Sequence, residues 1–235
     1  MHRNAMRIAA RTLACAAVPM LLVAGCSSGS GGDGKDDSAG PSAKPSAEAP
    51  SSAPPSPAPV KFTTLPDPCK TLSKGTVKEV VPGAETGGKN LGSKDTDGYG
   101  TCLWSGLDGY QYRALTVSLK RFDSDVTLGS GDERAAGYAA QEVSAVSQDK
   151  DNKKVKDSAL DGIGDEATSL AFESEKKNGK KSEDYREQRI VVRTGNVVVT
   201  VEYEGAGFET GRTPDADDIR KGAEKAAKEA VKAVE

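Results

Sequence analysis

Residues 27–59 contain only Ser, Gly, Asp, Lys, Ala, Pro and Glu, so no aliphatic side chain larger than Ala occurs in 33 consecutive positions. Such a stretch cannot bury enough apolar surface to offset its ordering entropy, and it is expected to stay disordered. Its first part is Ser/Gly-rich and coil-like, while Pro41 to Pro59 is Pro/Ala/Ser-rich and stiffer. A coil of this length averages about 30–35 Å end to end, and extended polyproline would approach ~100 Å. The segment reads as a tether, with a protein-binding Pro motif as the competing use. Folding is thereby confined to residues 61–235. That length suits one domain, which would bury roughly 70% of its unfolded surface.

Ahead of the tether, Arg3, Arg7 and Arg11 precede a mostly apolar run from Thr12 to Val23. Twelve residues are too few to span a ~30 Å hydrocarbon core, which takes ~20 residues as a helix. The run has the length of a signal-peptide core, so residues 1–25 are expected to be a leader. It ends in Val23-Ala24-Gly25-Cys26, which resembles the lipobox of bacterial lipoproteins. The resemblance implies diacylglycerol transfer to the Cys26 sulfur, cleavage after Gly25 and, commonly, acylation of the new amino terminus. Two or three acyl chains, at ~0.8 kcal/mol per buried methylene, anchor durably where one would not. Residues 26–60 would then be the lipidated cysteine and tether. The plasma membrane would be the partner, and the extracytoplasmic face of the cell membrane the location. An ordinary secretory signal with an incidental cysteine is the alternative; Cys15 is expected to leave with the leader.

The whole chain has 32 basic and 35 acidic residues, and without residues 1–25 the balance is 29 against 35. Broad cationic attraction to nucleic acid is excluded, and no nucleic-acid partner is expected. Beyond the leader and Cys26, Cys69 and Cys102 remain. An even pair in an oxidising compartment reads as a disulfide. It would close a loop of ~34 residues and contribute roughly 3–4 kcal/mol. It would pin an amino-terminal helix to the strand carrying Trp104. A redox pair is the other reading, but no C-x-x-C occurs.

Hydropathy periodicity predicts a helix over 71–81, carrying Leu72, Val77, Val80 and Val81, and a turn at Asp95-Thr96-Asp97-Gly98. Strands are expected at 101–105 and 112–121, and a helix at 132–146. Residues 147–158 read as a polar loop. Further strands are expected at 167–172, 185–193 and 197–204, the last two joined by a Thr194-Gly195-Asn196 hairpin turn. Ile190 to Val192 and Val197 to Val199 mark the sheet centre. A final helix starts at Thr213-Pro214, with Thr213 as cap. Its stripe is Ile219, Ala223, Ala226, Ala227, Ala230, Val231 and Val234. The expectation is an α+β fold: an antiparallel sheet of about five strands with helices packed on one face, in the order α-β-β-α-β-β-β-α.

Pro68-Cys69, Cys102-Leu103-Trp104, Gly164-Asp165-Glu166-Ala167 and Arg193-Thr194-Gly195-Asn196 together resemble a group of actinobacterial secreted lipoproteins, the paired-cysteine type with a domain of unknown function. The resemblance covers roughly residues 62–234. It implies a surface location and an α+β fold, and no catalytic residues. The layout is more distantly similar to the extracellular sensor domains of actinobacterial serine/threonine kinases, which carry two disulfides.

His2 is the sole histidine and lies in the leader, so histidine triads, dyads and metal sites are excluded from the mature chain. No phosphate-binding glycine loop occurs. No metal and no cofactor are expected; calcium at Asp161, Asp165 and Glu166, or at Asp95 and Asp97, lacks the fuller loop pattern. Lys176-Lys177-Asn178-Gly179-Lys180-Lys181 reads as a solvated hairpin tip, with contact to anionic polymers as the alternative. Trp104, with Tyr99, Tyr110 and Tyr112, reads as core or rim packing, or as a ligand platform in which Trp104 and Tyr112 would take part. The leading expectation is a non-enzymatic surface lipoprotein that binds a small ligand, lipids among them, or a protein in the envelope. An apolar cleft would favour a lipid and a flat sheet face a protein. The alternative is a carboxylate-based wall hydrolase, which needs two acids facing each other ~5–10 Å apart.

Overall fold

The β-branched runs of the chain form the middle of its sheet. The computed structural model describes residues 56–92, 98–178 and 181–235. Cys26, the tether up to residue 55 and the turn expected at Asp95 to Asp97 lie outside the described residues. The elements are α1 (Lys74–Val80), β1 (Lys89–Asn90), β2 (Tyr99–Asp108), β3 (Gln111–Arg121), α2 (Gly131–Gln148), β4 (Lys153–Ala159), β5 (Glu166–Asn178), β6 (Lys181–Thr194), β7 (Val197–Gly207) and α3 (Ala216–Val234). A 3-10 turn, Pro68–Lys70, precedes α1. The strands form one sheet in the order β1-β2-β3-β7-β6-β5-β4, with every neighbouring pair antiparallel.

The fold is α+β, but the sheet has seven strands rather than about five, and the element order differs from the expected one by two added strands. Both additions, β1 and β4, are the sheet edges. Strand β4 occupies residues read as a polar loop, and six of its seven residues are exposed. An edge strand that only partly buries one side chain, Val155, has no apolar alternation to betray it, and its lysines blunt the open edge against further pairing. Strands β2, β5 and β6 also run longer than expected, because cross-strand pairing extends beyond their apolar parts.

Side chains alternate across the sheet, and the two faces differ. On the first face, Leu115, Val117 and Leu119 of β3, Val199, Val201 and Tyr203 of β7, and Ile190 and Val192 of β6 are buried under α3 and α1. The stripe of α3 is the one expected, and all seven of its residues are buried. Its four alanines let the helix backbone lie close to the sheet, and each fully buried aliphatic contributes about 1.5–3 kcal/mol. Tyr203 Oη donates to the Val80 carbonyl and fixes α1 to the central strand. The helix cap is Asp215, whose carboxylate accepts from the Asp217 amide; it is not Thr213. Pro214 lies outside the helix, and its carbonyl accepts from Arg186 Nη1 at 2.7 Å.

Helix α2 packs over part of the second face, against β5, β6 and β7, so helices pack on both faces rather than one. It buries Ala135 and Val146 against Leu170, Phe172, Val191 and Val198. A capping box starts it: Ser130 Oγ accepts from the Glu133 amide at 3.2 Å, and Glu133 accepts from the Ser130 amide at 2.9 Å. Asn196, fully buried in the β6–β7 turn, accepts from the Phe62 amide at 2.9 Å and donates to the Phe62 and Phe122 carbonyls at 2.8 Å each. One side chain thus ties the start of the domain to the end of β3.

Cys69 and Cys102 form the expected disulfide, with Cα atoms 5.1 Å apart. It joins the 3-10 turn, rather than α1 itself, to β2. Gly88, at φ +64°, packs against it: a Cβ there would lie 2.5 Å from Cys102 Sγ and 2.7 Å from the Trp104 indole.

Candidate functional site

Helix α2 leaves half of the second face open, and that half is built from charged residues on central strands. Register places Ala114, Glu204, Glu187 and Phe172 in one row across β3, β7, β6 and β5. The neighbouring row is Thr116, Glu202, Arg189 and Leu170. Two adjoining hollows of about 370 Å³ each lie over these rows, and Phe172, Lys176, Glu187 and Arg189 line both. The first is floored by β3, β7 and β6; the second runs under the carboxyl-terminal end of α2.

The charges in the groove are paired with one another. Lys176 Nζ lies 3.0 Å from Glu187 and also contacts Glu204. Glu187 additionally accepts from Ser174 Oγ. Arg189 bonds Glu202 and reaches Glu142 on α2 at 3.6 Å. Its Nε is buried with no hydrogen-bond partner. Burial pushes the Glu204 carboxyl above its ordinary range; Lys176 opposes this, and the Glu187 and Glu202 charges reinforce it. For Lys176, burial is the largest influence and acts downward, but the two glutamates together outweigh it and the net direction is up. Burial, followed by the Glu204 charge, raises the phenols of Tyr112 and Tyr185.

An aromatic group walls the end of the groove. Tyr112 stacks on Phe208 at 5.5 Å and meets Tyr185 edge-on at 6.0 Å. Lys176 Nζ stands 4.7 Å from the centre of the Tyr185 ring.

The residues singled out by sequence are not all brought together. Tyr112 belongs to the groove. Trp104 does not: it is 1% exposed, on the opposite face, with its indole N–H on the Thr86 carbonyl at 3.3 Å. Trp104 is a core residue, and the two cannot form one platform. Their strands are joined by a tight hairpin whose register pairs Trp104 with Leu115 and Tyr112 with Leu107, which fixes opposite faces. Tyr99 and Tyr110 are exposed at opposite ends of that hairpin. Within the lysine run, Lys176 turns inward to the groove, while Gly179 and Lys180 lie outside the described residues. Asp165 is committed locally, accepting from the Gly195 amide at 2.6 Å and from Arg193 at 3.2 Å. Among the described residues, no group of three or more His, Cys, Asp or Glu is placed to hold a metal. Likewise, no helix there is long and apolar enough to cross a membrane.

Reading by sequence misses Glu187, Arg189, Glu202 and Glu204 as site residues. Their signal is there: charges at every second position on strands whose other residues are Gln188, Ile190, Val201 and Tyr203.

A search of curated proteins finds no match. The model of the family described as protein of unknown function (DUF3558) matches residues 21–205, from before Cys26 into β7. That match spans most of the chain and includes the paired cysteines, Trp104 and the Gly195-Asn196 turn, and the protein therefore belongs to this family of unknown function.

Proposed function

We propose that this protein is a lipoprotein of the actinobacterial cell surface, held to the membrane through Cys26, and that it acts by binding rather than catalysis. Its domain would present the open half of the second sheet face to a polar partner in the envelope, either a charged small molecule or a protein segment. The observation that carries this reading is the contrast between the faces. The first is closed by α3 and α1, whereas the second leaves a groove lined by Lys176, Glu187, Arg189, Glu202 and Glu204. An apolar cleft would have pointed to a lipid. Covering these ionised groups with an acyl chain would strip their water without replacing it, so a polar occupant fits better.

The test is native mass spectrometry of the full-length chain purified from membranes. Wild type should carry a recurrent ligand or partner mass, and Thr116→Trp, which fills the groove from β3, should lose it. Equal recovery from both would count against the groove. The anchor is tested separately: palmitate labelling should mark wild type and not Cys26→Ala, and only the variant should leave the membrane fraction.

A second reading, carboxylate-based hydrolysis, has one observation in its favour. Glu187 and Glu204 are cross-strand partners in one groove and share the ammonium of Lys176. It requires that Glu187→Gln abolish the release of reducing ends from wall polymer while leaving polymer binding in place.

A further inference from the structure

We infer that the groove recognises a primary alkylammonium group, and that Lys176 occupies this subsite from within the chain. The inference rests on the groove being the binding surface, and it names the chemistry of what binds. The subsite has a fixed part and a replaceable part. The fixed part is Glu187 and Glu204, on the neighbouring strands β6 and β7 inside the sheet, with side chains 16% and 25% exposed. A buried tyrosine ring, Tyr185, stands beside them, held edge-on by Tyr112 and Phe208. Two carboxylates from separate strands converge on one point, against an aromatic face. That arrangement suits a compact ammonium, whose charge is a point, better than the planar fork of a guanidinium. It also suits an ammonium better than a hard metal cation, which would seek six or more oxygens.

The replaceable part is Lys176. Its ammonium already sits in this cage, 3.0 Å from Glu187, in contact with Glu204 and 4.7 Å from the Tyr185 ring centre. It reaches in from β5, close to the hairpin end, on a side chain that is 42% exposed. The adjoining hollow of about 370 Å³ is lined by the same three charged residues, so an incoming chain has room beside the lysine it displaces. Glu187, Glu202 and Glu204 outnumber Lys176 and Arg189 in that lining, so the groove attracts cations.

A lysine that fills the cage lowers the affinity for a competing amine in proportion to the time the cage is vacant. Ligand-observed saturation-transfer NMR on the full-length chain in detergent micelles measures this. The probe is Nα-acetyl-lysine methylamide, and the uncharged control is Nα-acetyl-norleucine methylamide. Lys176→Met and Lys176→Gln, each first confirmed by a cooperative melt, should bind the probe about tenfold more tightly than wild type. Adding Glu204→Gln to either should return the affinity to the wild-type level, and the control should bind none of them. If both folded variants bind the probe no better than wild type, the inference is overturned. If that happens while Thr116→Trp still strips the native mass, the groove stands and only the ammonium assignment falls. If the variants bind the probe tightly but Thr116→Trp loses nothing, the cage stands and the groove's role in the envelope falls.

Discussion

Opening the Cys69–Cys102 disulfide should cost this domain a quarter or more of an ordinary domain's stability without changing its fold. The bridge closes a sequence separation of 33 residues. In the chain-entropy model, a loop of that length removes about 12.5 cal/mol/K from the unfolded ensemble, or about 3.7 kcal/mol at 25 °C. The structure adds little native-state gain to this figure, because Cys102 is already buried in the same core cluster as Trp104. The double variant Cys69→Ala, Cys102→Ala tests it by urea denaturation. Trp104, the sole tryptophan and 1% exposed, is the fluorescence reporter. With a denaturant slope of about 2 kcal/mol/M, the midpoint should fall by about 1.5–2 M. The emission maximum of the folded variant should stay that of a buried indole. A midpoint shift below about 0.3 M would refute the loop-entropy reasoning. A red-shifted folded state would show instead that the bridge holds the core in place.

Three further outcomes follow from the packing and the charges. Gly88→Ala forces a left-handed residue to carry a Cβ against Cys102 Sγ and the Trp104 indole, and should cost about 2 kcal/mol in a thermal melt. Asn196→Ala removes three hydrogen bonds from a fully buried site and should cost about 2–4 kcal/mol by urea titration; Asn196→Asp should lose at least as much at neutral pH, because a buried carboxylate cannot donate to the Phe62 and Phe122 carbonyls. The fold raises the Glu204 pKa, so protonated Glu204 is favoured in the folded state. Its contribution is therefore present below the ordinary value of 4.5 and is lost as pH rises through the raised value. Melts recorded across pH should show wild type losing stability relative to Glu204→Gln over that rise. Lys176→Met should lose more steeply still, because the lysine is what holds the carboxyl down.

Periodicity exposes the parts of this fold that bury something. The stripe of α3 and the β6–β7 hairpin around Gly195-Asn196 can be read directly, because core contact imposes spacing on residue type. The edge strands cannot: Lys153 to Ala159 pairs through its backbone and presents exposed side chains to water. The groove is hidden for a different reason. Glu187, Arg189, Glu202 and Glu204 look like the solvent side of ordinary strands. They become a candidate site only because β3, β7, β6 and β5 align them and α2 stops short of covering them, which are long-range facts of register. Trp104 and Tyr112 look like neighbours in sequence because proximity along a hairpin hides parity, whereas the count of residues through the turn sets the face.

The most direct test of the binding account is photo-crosslinking in intact cells, with a photoreactive phenylalanine in place of Leu103, on β2 at the rim of the groove, or of Lys228 on the outer side of α3. The account predicts a discrete adduct from position 103 that disappears when Glu202 and Glu204 are both changed to alanine, and none from position 228. The same adducts from both positions, or none from position 103 in a chain that is correctly folded and exported, would contradict it.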